Sequence, residues 1–272
     1  MSELILRATT DGVTTLTMNL PKKLNGWTEP MLKALTEALS AAATDADTKA
    51  LILTGTDPYY CAGVNLGAAL SLGHPKKLRD MIVVRNQELF ECFLDFPKPI
   101  LIAANGPAIG ASVTSATLCD GIIASENASF NTPFARLGVT PEGCSSEMFG
   151  KLMGETNAQR MLGKEGWVPT GAEALDAGLV QWVVPHDQLL AEAHRIAKGW
   201  IDEGRERSFR ASFTRDQLKA INARESQELA DAFLAAPFLK GQMQFLWKKK
   251  KRQPAAMFCG LWLSRPLWSR LL

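Results

Sequence analysis

The chain has 272 residues, 46% of them hydrophobic and 21% charged. That suits one large globular domain, or a domain with an appendage, around a substantial core. A formal charge of +2 leaves no global electrostatic footprint for nucleic acid, so an anionic ligand has to be met by local groups.

Residues 3 to 8 and 13 to 19 alternate apolar and polar about Asp11-Gly12, the pattern of a β-hairpin. Thr28 is a candidate N-cap for a helix with Pro30 in its first turn and Met31, Leu32, Leu35 and Leu39 on one face. The short apolar run Ala50 to Thr54 reads as a buried strand. A long helix is expected from about Pro75 to Phe96, a second buried strand over residues 99 to 104, and a helix over residues 109 to 119 after a turn at Asn105-Gly-Pro. Gly121 to Ala124 and Leu179 to Val184 complete the strands. Strands alternating with helices predict an α/β fold with mostly parallel pairing. Beyond His186 only helical patterns remain, including a long one from about Asn222 to Lys251, which places a boundary near residue 200: a core over 1–200 and a C-terminal helical region over 201–272. Residues 254 to 268 form an apolar, aromatic tail interrupted by Pro266 and expected to pack on its own or a neighbouring subunit; the upstream basic run Lys248 to Arg252 leaves membrane-surface docking as the minority reading.

Five cysteines, Cys61, Cys92, Cys119, Cys144 and Cys259, are widely spaced and form no CxxC pair, the pattern of free thiols in a reducing compartment rather than of disulfides or zinc. The start of the chain has neither the basic flank and apolar core of a secretory signal nor the arginine content of a transit peptide, and no run approaches the roughly 20 apolar residues of a bilayer span. An intracellular, soluble protein is expected. Ser269-Arg-Leu271 is close to a peroxisomal address, but Leu272 puts it out of register.

The chemistry centres on three segments. Where a buried strand enters a helix through Gly106 and Gly110, the first helical N–H groups, near Ala111, have no intrahelical partner and point with the helix dipole at whatever binds there. The loop Tyr60-Cys-Ala-Gly-Val-Asn-Leu66 offers a second donor at Val64, with Gly63 freeing the backbone to approach a ligand. Two backbone donors on one oxygen make an oxyanion hole, each worth roughly 3 to 4 kcal/mol in measured systems. Glu142, in Val139-Thr-Pro-Glu-Gly-Cys-Ser-Ser146, is then the best available base.

Cys61 to Leu66, Pro97-Lys-Pro99, Asn105 to Gly110, Cys119-Asp120 and Thr170-Gly-Ala-Glu-Ala-Leu-Asp-Ala-Gly-Leu179 together resemble the enoyl-CoA hydratase/isomerase (crotonase) superfamily, in order and spacing, over roughly residues 3 to 250. Thr132-Pro-Phe-Ala-Arg-Leu-Gly138 followed by Pro141 to Ser146 resembles its peroxisomal-type Δ3,Δ2-enoyl-CoA isomerases. The resemblance implies a spiral of ββα turns, C-terminal helices that assemble trimers, and a thioester enolate held by the N–H groups of Val64 and Ala111. Hydratases of the family use two glutamates, whose positions here align with Thr114 and Phe134, so water addition is disfavoured. Glu142 then implies a single-base proton shuttle in unsaturated fatty-acid β-oxidation, with no cofactor and with CoA as part of the substrate.

The same resemblance implies that Asn86 orients Glu142, that Lys22, Lys23 and Leu24 cradle CoA, and that Ala62, Gly110 and Phe134 line the substrate site. Phe245 and Lys249 would close a CoA site, conceivably a neighbour's. Phe130, Phe134, Leu137 and Val139 are expected to wall the carboxyl, and a peroxisome or mitochondrion is the implied compartment. Two alternatives stay open: another acyl-CoA enolate enzyme of thioesterase or dehalogenase type, and a non-catalytic acyl-CoA-binding module. His74, His186 and His194 sit in no motif pairing them with Ser or Cys, which gives a hydrolytic triad little support. No dinucleotide fingerprint or phosphate loop occurs.

Overall fold

The computed structural model describes residues 3–64 and 74–272; Asn65 and Leu66 of the expected loop motif lie outside the described residues. In chain order the elements are β1 (Ile5–Thr10), β2 (Val13–Met18), α1 (Glu29–Thr44), β3 (Ala50–Gly55), α2 (Pro75–Leu94), β4 (Ile100–Ala104), β5 (Ala108–Ile109), α3 (Ala111–Thr117), β6 (Gly121–Ser125), β7 (Phe130–Asn131), α4 (Phe134–Leu137), α5 (Ser145–Leu162), α6 (Gly171–Asp176), β8 (Trp182–Val184), α7 (Leu189–Asp202), α8 (Arg215–Phe233), α9 (Ala236–Lys248) and α10 (Arg252–Trp268). The main sheet runs β1-β2-β3-β4-β6-β8, and a small second sheet pairs β5 with β7. Among the described residues of the main sheet, only the β1–β2 pair is antiparallel, so the architecture is the expected α/β fold with a parallel-dominated sheet.

Strands β3, β4 and β6 are buried along their whole length, as parallel strands covered on both faces must be. Their alternate residues go to different cores, because successive side chains point to opposite faces. Leu51, Leu53, Ile100 and Ile102 face the large core shared with α1, α2 and α5. Ala50, Ile52, Leu101 and Ala103 face α7, which presents Leu189, Ala193, Ile196, Ala197 and Trp200. A third cluster joins Leu78 and Ile82 of α2 to Phe233, Phe238 and Phe258 of α8, α9 and α10. The C-terminal helices are thereby fastened to α2.

Asp120, at the end of the Cys119-Asp120 motif, is a buried junction. Its carboxylate accepts the Ile100 N–H at 2.8 Å, the Ser208 N–H at 2.8 Å and an Arg207 guanidinium N–H at 2.8 Å, while Arg207 also donates to the carbonyls of Leu118 and Phe93. Both side chains are essentially inaccessible, at 3% and 0% exposure. This pair pins the chain leaving α7 to the start of β4.

Several expected elements change at their ends. The single helix over 222 to 251 is two helices, because Pro237 needs a first-turn position and so begins a new one after Ala235. The strand expected from Leu179 keeps only Trp182–Val184, since the Leu179 N–H closes back on the Ala174 carbonyl at the end of α6. The helix over 109 to 119 shortens to α3, its first residues being taken by β5. The apolar tail is helical from Arg252 to Trp268 with Pro266 inside it, and packs on its own chain through Ala255 and Phe258.

Candidate active site

Two loops are zipped together beside the second sheet. The Ile109 N–H donates to the Cys61 carbonyl at 3.0 Å and the Cys61 N–H to the Pro107 carbonyl at 3.3 Å. The Ser112 hydroxyl, fully buried, donates to the Cys61 carbonyl at 3.1 Å and accepts the Ile109 N–H at 3.0 Å. Val64 and Ala111 therefore stand at the ends of two backbones held in register. Among the described residues neither of their N–H groups is bonded to a backbone carbonyl. Gly110, at φ 62°, precedes α3, and a Cβ added there would meet nothing within 4 Å, so open space lies beside the turn.

Glu142 is delivered by a left-handed turn. Gly143 and Cys144 have φ of 64° and 65°, and a Cβ on Gly143 would stand 2.4 Å from Phe90 Cε1 and 2.7 Å from Thr114 Oγ1. The residue after the carboxylate is thus pressed against Phe90 and Thr114. Thr114 itself is buried, its hydroxyl bonded to the Ala111 carbonyl at 3.3 Å, and Phe134 is a buried side chain opening α4.

A cavity of about 790 Å³ lies among α1, α2 and α8, and both Glu142 and Val64 line it. Apolar side chains Met81, Ile82, Leu89, Leu229 and Phe233 form much of its wall. Burial, and after it the neighbouring Glu225 carboxylate, together raise the Glu142 carboxyl to about 8. A carboxyl in that range sits near neutral pH as a base or acid. The expected walls Phe130, Phe134, Leu137 and Val139 are not part of the cavity lining, which is drawn largely from α1 and α2 with Leu229 and Phe233 of α8. Gly110, Ala62 and Ala111 also lie outside its wall.

Asn86 lines the cavity with Glu142, but its amide donates to Ser226 Oγ at 3.0 Å and makes no hydrogen bond to the carboxylate. Lys22 and Lys23 are exposed on a short 3-10 turn. Leu24 follows in a left-handed conformation and its carbonyl takes the Ala62 N–H at 2.9 Å, which ties this turn to the Val64 loop. Asn25, fully buried, secures the same turn: its side chain accepts the Leu20 N–H and donates to the carbonyls of Thr56 and Tyr59. Phe245 and Lys249, at the far end of α9, are exposed and outside the Glu142 cavity.

Three features escaped the sequence reading. Glu225 sits fully buried behind the Glu142 turn, an arrangement without any local signature because the two residues are far apart in the chain. Ser112 braces the two loops through a buried hydroxyl that no local pattern marks. His186 lies between Ser125 Oγ and Asp57 Oδ2, each 3.0 Å from a ring nitrogen. That is a serine, histidine and aspartate in sequence, yet Ser125 is inaccessible and its oxygen accepts the Asn127 N–H. The trio ties β6 to the loops after β3 and β8. All five cysteines are free, and burial pushes the Cys61, Cys92 and Cys119 thiols up to about 12; such thiols are inert. Among the described residues no His, Cys, Asp and Glu cluster could hold a metal ion, and no helix is long and apolar enough to cross a membrane.

The enoyl-CoA hydratase/isomerase family model matches residues 8–253, and the chain belongs to that family. It is similar to human enoyl-CoA delta isomerase 2, 35% identical over 268 residues, which cover 92% of this chain and 64% of that protein. It is also similar to mouse peroxisomal enoyl-CoA delta isomerase 3, 32% identical over 266 residues, covering 91% of this chain and 79% of the relative. The chain thus spans a little under two thirds of the human protein's length. Among solved structures, an enoyl-CoA hydratase/isomerase from Pseudoalteromonas atlantica superposes with a TM-score of 0.73 at 26% identity, covering 90% of this chain and 97% of that one. An enoyl-CoA hydratase from Mycobacterium smegmatis matches with a TM-score of 0.60 at 30% identity, covering 92% and 100%. The architecture is accordingly that of the crotonase fold.

Proposed function

We propose that the chain is a Δ3,Δ2-enoyl-CoA isomerase, with Glu142 as the only proton-carrying side chain. The observation that carries this reading is the Glu142 carboxyl, raised to about 8 in a largely apolar cavity that Val64 shares, while the two hydratase positions hold Thr114 and Phe134. Ionised Glu142 removes a proton from C2 of a 3-enoyl thioester. The electron pair delocalises onto the thioester oxygen and, through the C3–C4 double bond, onto C4, giving a dienolate whose oxygen is held by the N–H groups of Val64 and Ala111 as an oxyanion hole. The protonated carboxyl then delivers the proton to C4, leaving the double bond at C2. Atoms balance without water or cofactor, and the apolar wall limits loss of the proton to solvent.

The delta isomerase relatives support this choice within the family, and one of them carries a peroxisomal name. Lys22, Lys23 and Leu24 belong to the reading as a CoA cradle on the turn that Ala62 and Asn25 secure. Phe245 and Lys249 belong to it only as contributions to a neighbouring subunit's site in a homotrimer, since they lie away from the cavity of their own chain. The division into a spiral core over 1–200 and a helical region over 201–272 is part of the same reading, as is action in fatty-acid β-oxidation in a peroxisome or mitochondrion.

The test is incubation with 3-enoyl-CoA substrates of six to sixteen carbons while following the absorbance of the conjugated 2-enoyl thioester. Turnover that disappears in Glu142→Gln supports the reading. CoA binding without turnover on any chain length would replace it with a binding module, and release of free CoA with a thioesterase.

A further inference from the structure

The Glu142 turn is held from behind by a residue of a different helix. Glu225, on α8, has no solvent exposure. One of its carboxylate oxygens accepts the Cys144 N–H at 2.6 Å and the other the Ser146 N–H at 2.9 Å. These are the N-terminal donors of α5, which its own N-cap residue, Cys144, leaves uncapped: the Cys144 side chain makes no cap bond and its thiol goes to the Leu218 carbonyl. The same α8 face continues the fastening toward the cavity. Asn222 donates to the Gln87 carbonyl at 3.2 Å, and Ser226 accepts the Asn86 amide at 3.0 Å.

Capping a helix does not call for a buried charge. Asp, Ser, Thr or Asn within the turn would satisfy the same donors locally, whereas a fully enclosed carboxylate carries a desolvation cost of several kcal/mol unless its surroundings compensate. Here both oxygens are occupied as acceptors at a helix N-terminus, where the dipole favours an anion. The charged groups near it are few. Arg224, beside it on α8, turns outward to Ser146 Oγ and Glu147; Glu228 lies a turn further along α8 and Glu147 at the start of α5; from α2 the neighbouring groups, Asn86 and Gln87, are uncharged.

We propose that Glu225 is the positioning residue for Glu142: its carboxylate, seated on the N–H groups of Cys144 and Ser146, holds the left-handed turn that carries Glu142 and sets a fixed negative charge beside it. The inference rests on the isomerase reading of Glu142. Burial raises the Glu225 carboxyl as well, but the hydrogen bonds from Ser146 and Cys144 and the Arg224 charge work against that rise, whereas nothing lowers Glu142, so the two carboxyls stand in unlike surroundings that divide the roles of anchored anion and proton carrier. The influence of Glu225 on Glu142 acts in the direction this requires.

The test uses the full chain with Glu225→Gln, which keeps the shape and removes the charge, and Glu225→Asp, which keeps the charge but is one methylene too short to hold both N–H groups. Protonation of Glu142 is read directly by pH-difference infrared spectroscopy of the carboxyl band, assigned by its loss in Glu142→Gln, and isomerase kinetics are measured on 3-enoyl-CoA. In Glu225→Gln the Glu142 midpoint should fall by about one pH unit, the scale of a unit charge at short range in a protein interior, and the rise of kcat/KM with pH should move with it. In Glu225→Asp the midpoint should stay raised while kcat falls about tenfold and KM holds. An unchanged midpoint in Glu225→Gln, or wild-type kcat in Glu225→Asp, overturns the proposal. Should Glu225→Gln not fold, the kcat and midpoint of Glu225→Asp decide alone. A midpoint that shifts as expected in a protein with no isomerase activity would remove the isomerase reading and leave the coupling of the two carboxyls standing.

Discussion

A Cβ on Gly63 would stand 2.3 Å from the carbonyl oxygen of Ile109. The two loops that carry Val64 and Ala111 can approach this closely only because position 63 has no side chain, and its φ of 74° lies where other residues are strained. Gly63→Ala is therefore expected to displace the Val64 N–H. Isomerase kcat should fall about 100-fold or more, and unfolding in urea should show a loss of about 1 to 3 kcal/mol.

Glu142→Gln should abolish turnover by roughly 10³-fold while leaving CoA affinity unchanged. Its stability effect has a definite sign. The folded carboxyl, raised to about 8 from 4.5, stays protonated while the unfolded one ionises, so wild-type stability is full below about pH 4.5 and is lost as pH rises through about 8. The Gln variant lacks that loss. It should match wild type near pH 4 and exceed it at pH 8 to 9 by about 2 kcal/mol. Paired denaturation curves at the two pH values check this; a gap that is equal at both would contradict it.

The rate should follow the same group. Because the free enzyme must present an ionised base, kcat/KM is expected to rise with pH and level off above about 8. A flat profile from pH 5 to 9 would mean that Glu142 does not begin the reaction as a base.

Arg207→Ala should destabilise by about 3 to 5 kcal/mol, since it leaves the Asp120 carboxylate buried with its ionic partner gone. The loss is global and is read by thermal unfolding, with activity retained at low temperature.

Ser125→Ala should leave isomerase activity intact, and a fluorophosphonate probe should not label the wild-type protein. The Ser125 hydroxyl points to His186 and the His186 ring to Asp57, but no acyl group can reach a serine with no exposed surface.

The legibility of this protein in its sequence follows the range of the interactions. Ala50 to Thr54 and Ile100 to Ala104 are unbroken apolar runs and are fully buried strands. Thr28 caps α1, accepting the Met31 N–H, as its place before Pro30 foretold. Helix ends set by packing or by a single proline were less legible: Pro237 divides a continuous apolar pattern that periodicity alone runs together. Glu142 and Val64, marked locally by glycine turns and a motif, both line the cavity, whereas Ala111, marked in the same way, lies outside its wall. Asn86 was placed on the right helix, but its hydrogen bond goes to Ser226, and no pattern on α2 reveals what α8 will offer it.

The sequence by itself determined the alternating strand and helix pattern, the glycines at which two loops turn toward a ligand, and an acid at 142 where positions 114 and 134 have none. These are consequences of side-chain type and short-range backbone freedom. Only the tertiary structure decided what that acid is. It brought α8 behind the turn, set Glu225 on the donors of α5, closed α2 and α8 around a cavity, and by excluding water raised a common carboxyl to about 8. Proton affinity depends on the dielectric and the charges within a few ångströms, and those neighbours come from segments far apart in the chain.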